Sequence, residues 1–230
     1  MIRKQADIFA GMKPTAVIFD MDGLLIDSEP LWNQAAMEVF AAYNISLSQA
    51  EYALTKGTRT KEFVEYWFTH YQVNMQQAPV AGEQIIERVI ELVKQKGRPM
   101  PGVAHVMQFF AERNFKMGLA TSSGPALIDF VVAHLGISDY LQAISSAEML
   151  DYGKPHPQVY IDCAQKLGAS PAECICFEDS FNGMIAVKAA RMKCVVVPAA
   201  HENQLPAWQI ADLKISSLQN FNELLLQTLY

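Results

Sequence analysis

The chain has 230 residues, 51% of them hydrophobic and 18% charged, and a net charge of −6. Such a composition excludes intrinsic disorder, and the length fits one domain with a large insertion or two small domains. With no run of Lys or Arg a nucleic-acid surface is not expected, and no apolar run reaches the roughly 18 residues of a membrane span.

The segment from Met1 to Met12 carries Asp7 and has too short an apolar core for a signal peptide, so a cytoplasmic protein is expected. Ala16 to Phe19 is apolar and predicts a first strand ending at Asp20. From about Pro30 to Arg98 only helical patterns appear. Leu31, Ala35, Val39 and Tyr43 share one face; Phe63, Trp67, Phe68 and Tyr71 share a second; Ile85, Ile86, Val89, Ile90 and Val93 share a third. Pro and Gly at Gly97-Arg98-Pro99-Met100-Pro101-Gly102 mark a boundary. Beyond it, strands are expected at Met117 to Ala120, Ala143 to Ser145, Cys174 to Phe177, Cys194 to Val197 and weakly at Leu213 to Ile215. Several are continuous apolar runs, as in strands buried on both faces. Helical repeats over Val103–Phe110, Leu127–Leu135 and Val159–Leu167 lie between them, with Gly136 and Gly168 placed to end the last two. Ser170-Pro171-Ala172-Glu173 resembles a capping box. Alternating strands and helices predict an α/β fold, a doubly wound parallel-sheet core with an inserted all-helical cap. The expected division is 1–29 and 99–230 for the core and 30–98 for the cap. Cys163, Cys174, Cys176 and Cys194 lack zinc-site spacing and read as buried free thiols.

Chemistry-bearing residues gather at strand ends, where open α/β sheets bind ligands. Asp20-Met21-Asp22-Gly23 follows the first strand. Two carboxylates two residues apart in a turn can hold Mg²⁺, can divide the work of nucleophile and acid/base, or can simply form an Asp-Gly turn. Thr121-Ser122-Ser123-Gly124 offers hydroxyls and backbone N–H groups ahead of a helix, as a phosphate requires. Lys154 lies between Gly153 and Pro155. Glu178-Asp179-Ser180 closes a strand of apolar residues, where two acids are costly without a cation. Four such clusters at four successive strand ends are far more specific than any one alone.

With those residues in place the chain resembles the haloacid dehalogenase superfamily over nearly its whole length. Phe19-Asp20-Met21-Asp22-Gly23 looks like the family's first motif, Thr121 its second, Lys154 its third and Glu178-Asp179 its fourth. The helical insertion looks like the family's C1 cap. The run from Asp20 to Trp32 resembles bacterial phosphatases of 2-deoxyglucose 6-phosphate and hexitol phosphates, in the β-phosphoglucomutase-like branch. The resemblance implies a Mg²⁺-dependent sugar-phosphate phosphatase acting on a small phosphate ester. Asp20 is its nucleophile and Asp22 its acid/base. Asp20, the backbone carbonyl of Asp22 and Asp179 hold the metal. Glu178 either binds the metal directly or orients its waters. Thr121, Ser122 and Lys154 hold the phosphoryl group, and Arg59 in Lys56-Gly57-Thr58-Arg59 contacts the substrate from the cap. Trp32 stands where mutase relatives place a His. An indole is not expected to do the proton-transfer or orienting work of a His, and this departure favours phosphatase over mutase. A dehalogenase does not need the acids at Asp22 and Glu178-Asp179, and a non-enzymatic scaffold would not need all four motifs. A monomer is expected, since no heptad seam appears.

Overall fold

The computed structural model describes residues 13–230; the expected lack of a signal peptide concerns residues 1–12, outside that range. Six strands form one parallel sheet: β1 (Ala16–Phe19), β2 (Lys116–Thr121), β3 (Ala143–Ser146), β4 (Cys174–Glu178), β5 (Lys193–Val196) and β6 (Leu213–Lys214), in the order β3-β2-β1-β4-β5-β6. The expected strands are all present. The chain leaves β1 for β2 on one side and resumes at β4 on the other, so the strand order reverses at β1/β4. In an open α/β sheet that reversal point opens a crevice beyond the strand ends. Register pairs Phe19 with Leu119 and with Phe177, bringing the three ends level.

Both faces of the sheet are covered, which explains the continuous apolar strands. Val17, Phe19, Ile175 and Phe177 face one layer, where Phe19 stacks on Phe177 with ring centroids 5.2 Å apart beside Phe110 and Phe221. Ala16, Ile18, Cys174 and Cys176 face the other, against α7 (Gln158–Leu167) and α8 (Phe181–Ala189). The remaining core helices are α5 (Val103–Ala111), α6 (Pro125–Leu135) and the short α9 (Glu223–Gln227). Gly136 and Gly168 end α6 and α7 in the left-handed region, as their placement in the sequence predicts. All four cysteines are free and buried.

Between β1 and α5 lie four helices: α1 (Glu29–Phe40), α2 (Gln49–Leu54), α3 (Thr60–His70) and α4 (Ala78–Lys96). Phe40, Phe63, Val64, Trp67, Phe68, Ile85 and Val89 form their shared interior, with Phe40 and Phe63 stacked at 5.3 Å. The helix α2, which the sequence pattern does not predict, is too short to show a stripe and is set by a capping box between Ser48 and Glu51. Among the described residues no helix is long and apolar enough to cross a membrane.

Candidate active site

Asp20 begins where β1 ends, and its backbone N–H is still held by the Phe177 carbonyl at 3.0 Å. This fixes the first carboxylate at the sheet's reversal point. Lys154 is 2% exposed and lies between two acids, its Nζ 2.5 Å from Asp20 Oδ1 and 2.7 Å from Glu178 Oε1. Burial works against the ammonium charge, but the two carboxylates outweigh it and hold the Lys154 pKa above the usual lysine range. Burial likewise pushes Asp20 well above the ordinary carboxylate range; Lys154 offsets part of this, while Glu178 and Asp179 add to it.

Asp22 is gripped on both oxygens. Oδ1 accepts from Ser28 Oγ at 2.6 Å and from the Trp32 indole Nε1 at 2.8 Å. Oδ2 accepts from Ser123 Oγ at 2.6 Å, with Thr121 Oγ1 at 3.5 Å. Ser28 precedes α1 in the N-cap position, yet its hydroxyl does not cap the helix; it goes to Asp22 instead. The expectation for Trp32 needs correction on one point. An indole cannot carry a proton between two groups, but it can orient a carboxylate, and here it does.

Glu178 is fully buried and has no free direction. Oε1 accepts from Lys154 and from the Tyr160 hydroxyl at 2.7 Å; Oε2 accepts from the Asp179 and Ser180 N–H groups, both at 2.9 Å, and from Ser180 Oγ at 3.0 Å. Burial raises its pKa, but Lys154 and the surrounding donors outweigh burial and leave it lowered. Ser180 Oγ also accepts from the Gly183 N–H, starting α8. A side chain at Gly183 would place its Cβ 1.7 Å from Glu178 Oε1. The carboxylate is held by five donors and cannot step aside. Gly183→Ala is therefore expected to destabilise the fold by about 1–3 kcal/mol and to lower turnover by displacing Lys154. Urea unfolding and steady-state rates on one preparation check both.

Asp20, Glu178 and Asp179 bring carboxylate oxygens within 4.8 Å of one another, all buried. That donor set fits a hard divalent cation. Because the oxygens of Glu178 are already engaged, Asp20 and Asp179 are the carboxylates with capacity to bind it. Burial raises Asp179 to about 6, with Glu178 adding to the rise and Lys56 opposing it. Lys56, from the loop between α2 and α3, reaches Asp179 Oδ2 at 2.7 Å and Glu202 Oε2 at 3.6 Å. Glu29, at the start of α1, faces the same group, and burial lifts it to about 8.

Two cavities meet here. An inner one of about 60 Å³ is lined by Asp20, Asp22, Trp32, Thr58, Thr121 and Ser122 among others. An outer one of about 500 Å³ opens beside Asp179, Asn33, Gln49 and Glu202. Ser122 Oγ is bonded to the Gly57 carbonyl at 2.8 Å, tying the helical block to the core. Arg59 lines neither cavity. Its guanidinium donates to the carbonyls of Ala147, Leu150 and Asp151 at 3.3, 2.8 and 3.4 Å and pairs with Glu62. The structure thus brings together Asp20, Asp22, Thr121, Ser122, Lys154 and Asp179, and leaves Arg59 as a strap to the loop ahead of Lys154. Arg59→Ala is expected to raise KM on the order of tenfold for every phosphate ester alike. An unchanged ratio of kcat/KM between a sugar phosphate and an aryl phosphate checks this.

The haloacid dehalogenase-like hydrolase family model matches residues 14–191. The chain belongs to this hydrolase family. Hexitol phosphatase B of Escherichia coli (strain K12) is 43% identical over 204 residues, covering 88% of this chain and 92% of that protein. The Escherichia coli fructose-1-phosphate phosphatase YqaB is 30% identical over 181 residues, covering 79% of this chain and 95% of the relative. A β-phosphoglucomutase from Clostridium difficile has the same fold, with a TM-score of 0.82 at 24% identity, covering 94% and 96% of the two chains. The chain is a phosphatase of the haloacid dehalogenase family. Ser28, Trp32, Ser123, Lys56, Glu29 and Tyr160 join the site beyond the residues assigned from the motifs. The sequence singles out the segments of Trp32, Ser123 and Lys56, and Ser28 and Glu29 directly follow Asp27 at the boundary of the helical block; Tyr160 carries no such signal.

Proposed function

We propose that this phosphatase hydrolyses small sugar or sugar-alcohol phosphates, such as 2-deoxyglucose 6-phosphate or hexitol phosphates, with Mg²⁺ and through an aspartyl phosphate. The observation that carries it is the unequal treatment of two neighbouring carboxylates. Asp20 faces Lys154 and the acidic cluster, whereas Asp22 is held only by neutral donors. One is placed for charge at phosphorus, the other for moving a proton.

In this reading an Asp20 oxygen attacks phosphorus in line as the bond from phosphorus to the sugar oxygen breaks. Asp22 gives its proton to the departing oxygen. It then takes one from the water that attacks the aspartyl phosphate, releasing phosphate and restoring Asp20. Ser28, Trp32 and Ser123 keep Asp22 in one orientation through both steps. Thr121 and Ser122 bind the phosphoryl group, and Lys154 offsets the negative charge that builds around Asp20. Mg²⁺ would be held by Asp20, the Asp22 carbonyl and Asp179, and when bound it supplies positive charge to the phosphoryl oxygens and the carboxylates. Residues 30–98, which hold α2 to α4 and all of α1 but Glu29, act as a cap over the core of residues 1–29 and 99–230. The cap excludes water and bears on substrate choice. We place the enzyme in the cytoplasm as a monomer with no nucleic-acid or membrane partner.

Phosphate release from a panel of sugar and polyol phosphates, with Mg²⁺ and with chelator, tests the reading. Metal-dependent release from sugar phosphates is expected. Conversion of β-glucose 1-phosphate to glucose 6-phosphate under a bisphosphate activator, without phosphate release, would replace it with a mutase.

A further inference from the structure

Glu29, Tyr52, Lys56 and Asp179 line both cavities and form the wall between them. The inner space of about 60 Å³ is far too small for a six-carbon phosphate, since ligand pockets commonly run to several hundred Å³. A substrate with its phosphoryl group at Asp20 therefore carries its far end to that wall and the outer cavity of about 500 Å³.

The positive charge around this path is already committed. Lys56 is the one Lys or Arg on either lining among the described residues, and it is paired with Asp179 and Glu202. Arg59 is engaged by Glu62 and three carbonyls, and Lys154 is buried between Asp20 and Glu178. Against Lys56 stand Asp27, Glu29, Asp179 and Glu202 on the outer lining. With Asp179 given to the metal, Asp27, Glu29 and Glu202 still outnumber Lys56 on this lining. Glu202 Oε2 is buried with no hydrogen-bond donor.

We propose that this wall confines the enzyme to monophosphates of uncharged sugars and polyols and turns away substrates with a second anionic group. The inference rests on the sugar-phosphatase reading and adds a charge rule to it. A second phosphate or a carboxylate would enter a cleft whose walls focus negative potential, and would lose its water without gaining a cation. A hydroxyl finds the opposite. Glu29 and Glu202 accept its proton in a hydrogen bond, and Asn33 and Gln49 on the outer lining offer amides for both roles.

Glucitol 6-phosphate and gluconate 6-phosphate differ at one end, carbinol against carboxylate, and make the test. Wild type is expected to favour the first by at least about 100-fold in kcat/KM, with fructose 1,6-bisphosphate disfavoured likewise. Glu202→Gln is expected to narrow that ratio, and Glu202→Lys to narrow it further, the gain appearing mainly in KM for gluconate 6-phosphate. Glu29→Gln offers a second position should the Glu202 variants not fold. Equal use of both esters by wild type, or a ratio unmoved in the folded variants, overturns the charge rule and leaves the sugar phosphatase standing. Cleavage of an aryl phosphate with no cleavage of any sugar phosphate overturns both.

Discussion

Asp20→Asn is expected to cut turnover by roughly four orders of magnitude or more while leaving the thermal midpoint unchanged or higher. An amide of the same shape keeps the packing but does not attack phosphorus. The stability half follows from the charges around it. Asp20 is 6% exposed and lies beside Glu178 and Asp179, so its ionised form is opposed by burial and by two like charges. Removing that charge leaves Lys154 facing Glu178 at 2.7 Å and donating to the Ala120 carbonyl at 3.3 Å, a matched pair with a spare acceptor. The measurement is phosphate release and thermal unfolding on the same preparation. Near-normal turnover would remove Asp20 as the nucleophile. A lost fold would mean that its charge is structural, against the field described here.

The parts of the site that the sequence exposes are those held by neighbours in the chain. Asp20, Thr121 and Glu178-Asp179 each directly follow or close an apolar strand, so reading the strand places the residue. Lys154 is placed by its order after β3. What the pattern does not expose depends on contacts between distant residues. Lys56 meets Asp179 across more than a hundred residues, and although its segment Lys56-Gly57-Thr58-Arg59 stands out in the sequence, nothing in it says that the lysine rather than the arginine turns to the acids. Arg59 shows the reverse. A loop cation near the motifs looks like a substrate ligand, but its guanidinium finds three backbone carbonyls of a core loop first. The helix α8 escaped the periodicity for another reason. Gly183, Met184, Ala186 and Val187 are buried on one face, but two of the four are Gly and Ala while the apolar Phe181 and Ile185 lie off it, so hydrophobicity does not mark the stripe. The hold of Trp32 on Asp22 is hidden for a similar reason, because the turn that carries Ser28 and Trp32 back over Asp22 is a matter of geometry rather than residue type.

Lys154→Met is expected to do what Asp20→Asn does not, namely remove activity and stability together. Methionine fills the stem's volume, so the loss is electrostatic rather than a cavity. Asp20 and Glu178 would remain buried with the cation between them gone, and breaking a buried ion pair from one side costs about 3–5 kcal/mol. Urea unfolding should show a lower midpoint at unchanged slope. The double variant separates this from ordinary packing damage. If Lys154 serves to offset Asp20, then Asp20→Asn, neutral or mildly stabilising alone, should return about 1–2 kcal/mol in the Lys154→Met background. Recovery should stop short of wild type, because Glu178 still lacks its cation and keeps only Tyr160, Ser180 and two backbone N–H groups. Strict additivity would mean that Asp20 and Lys154 do not sense each other, and would remove the charge pairing on which the nucleophile's environment rests.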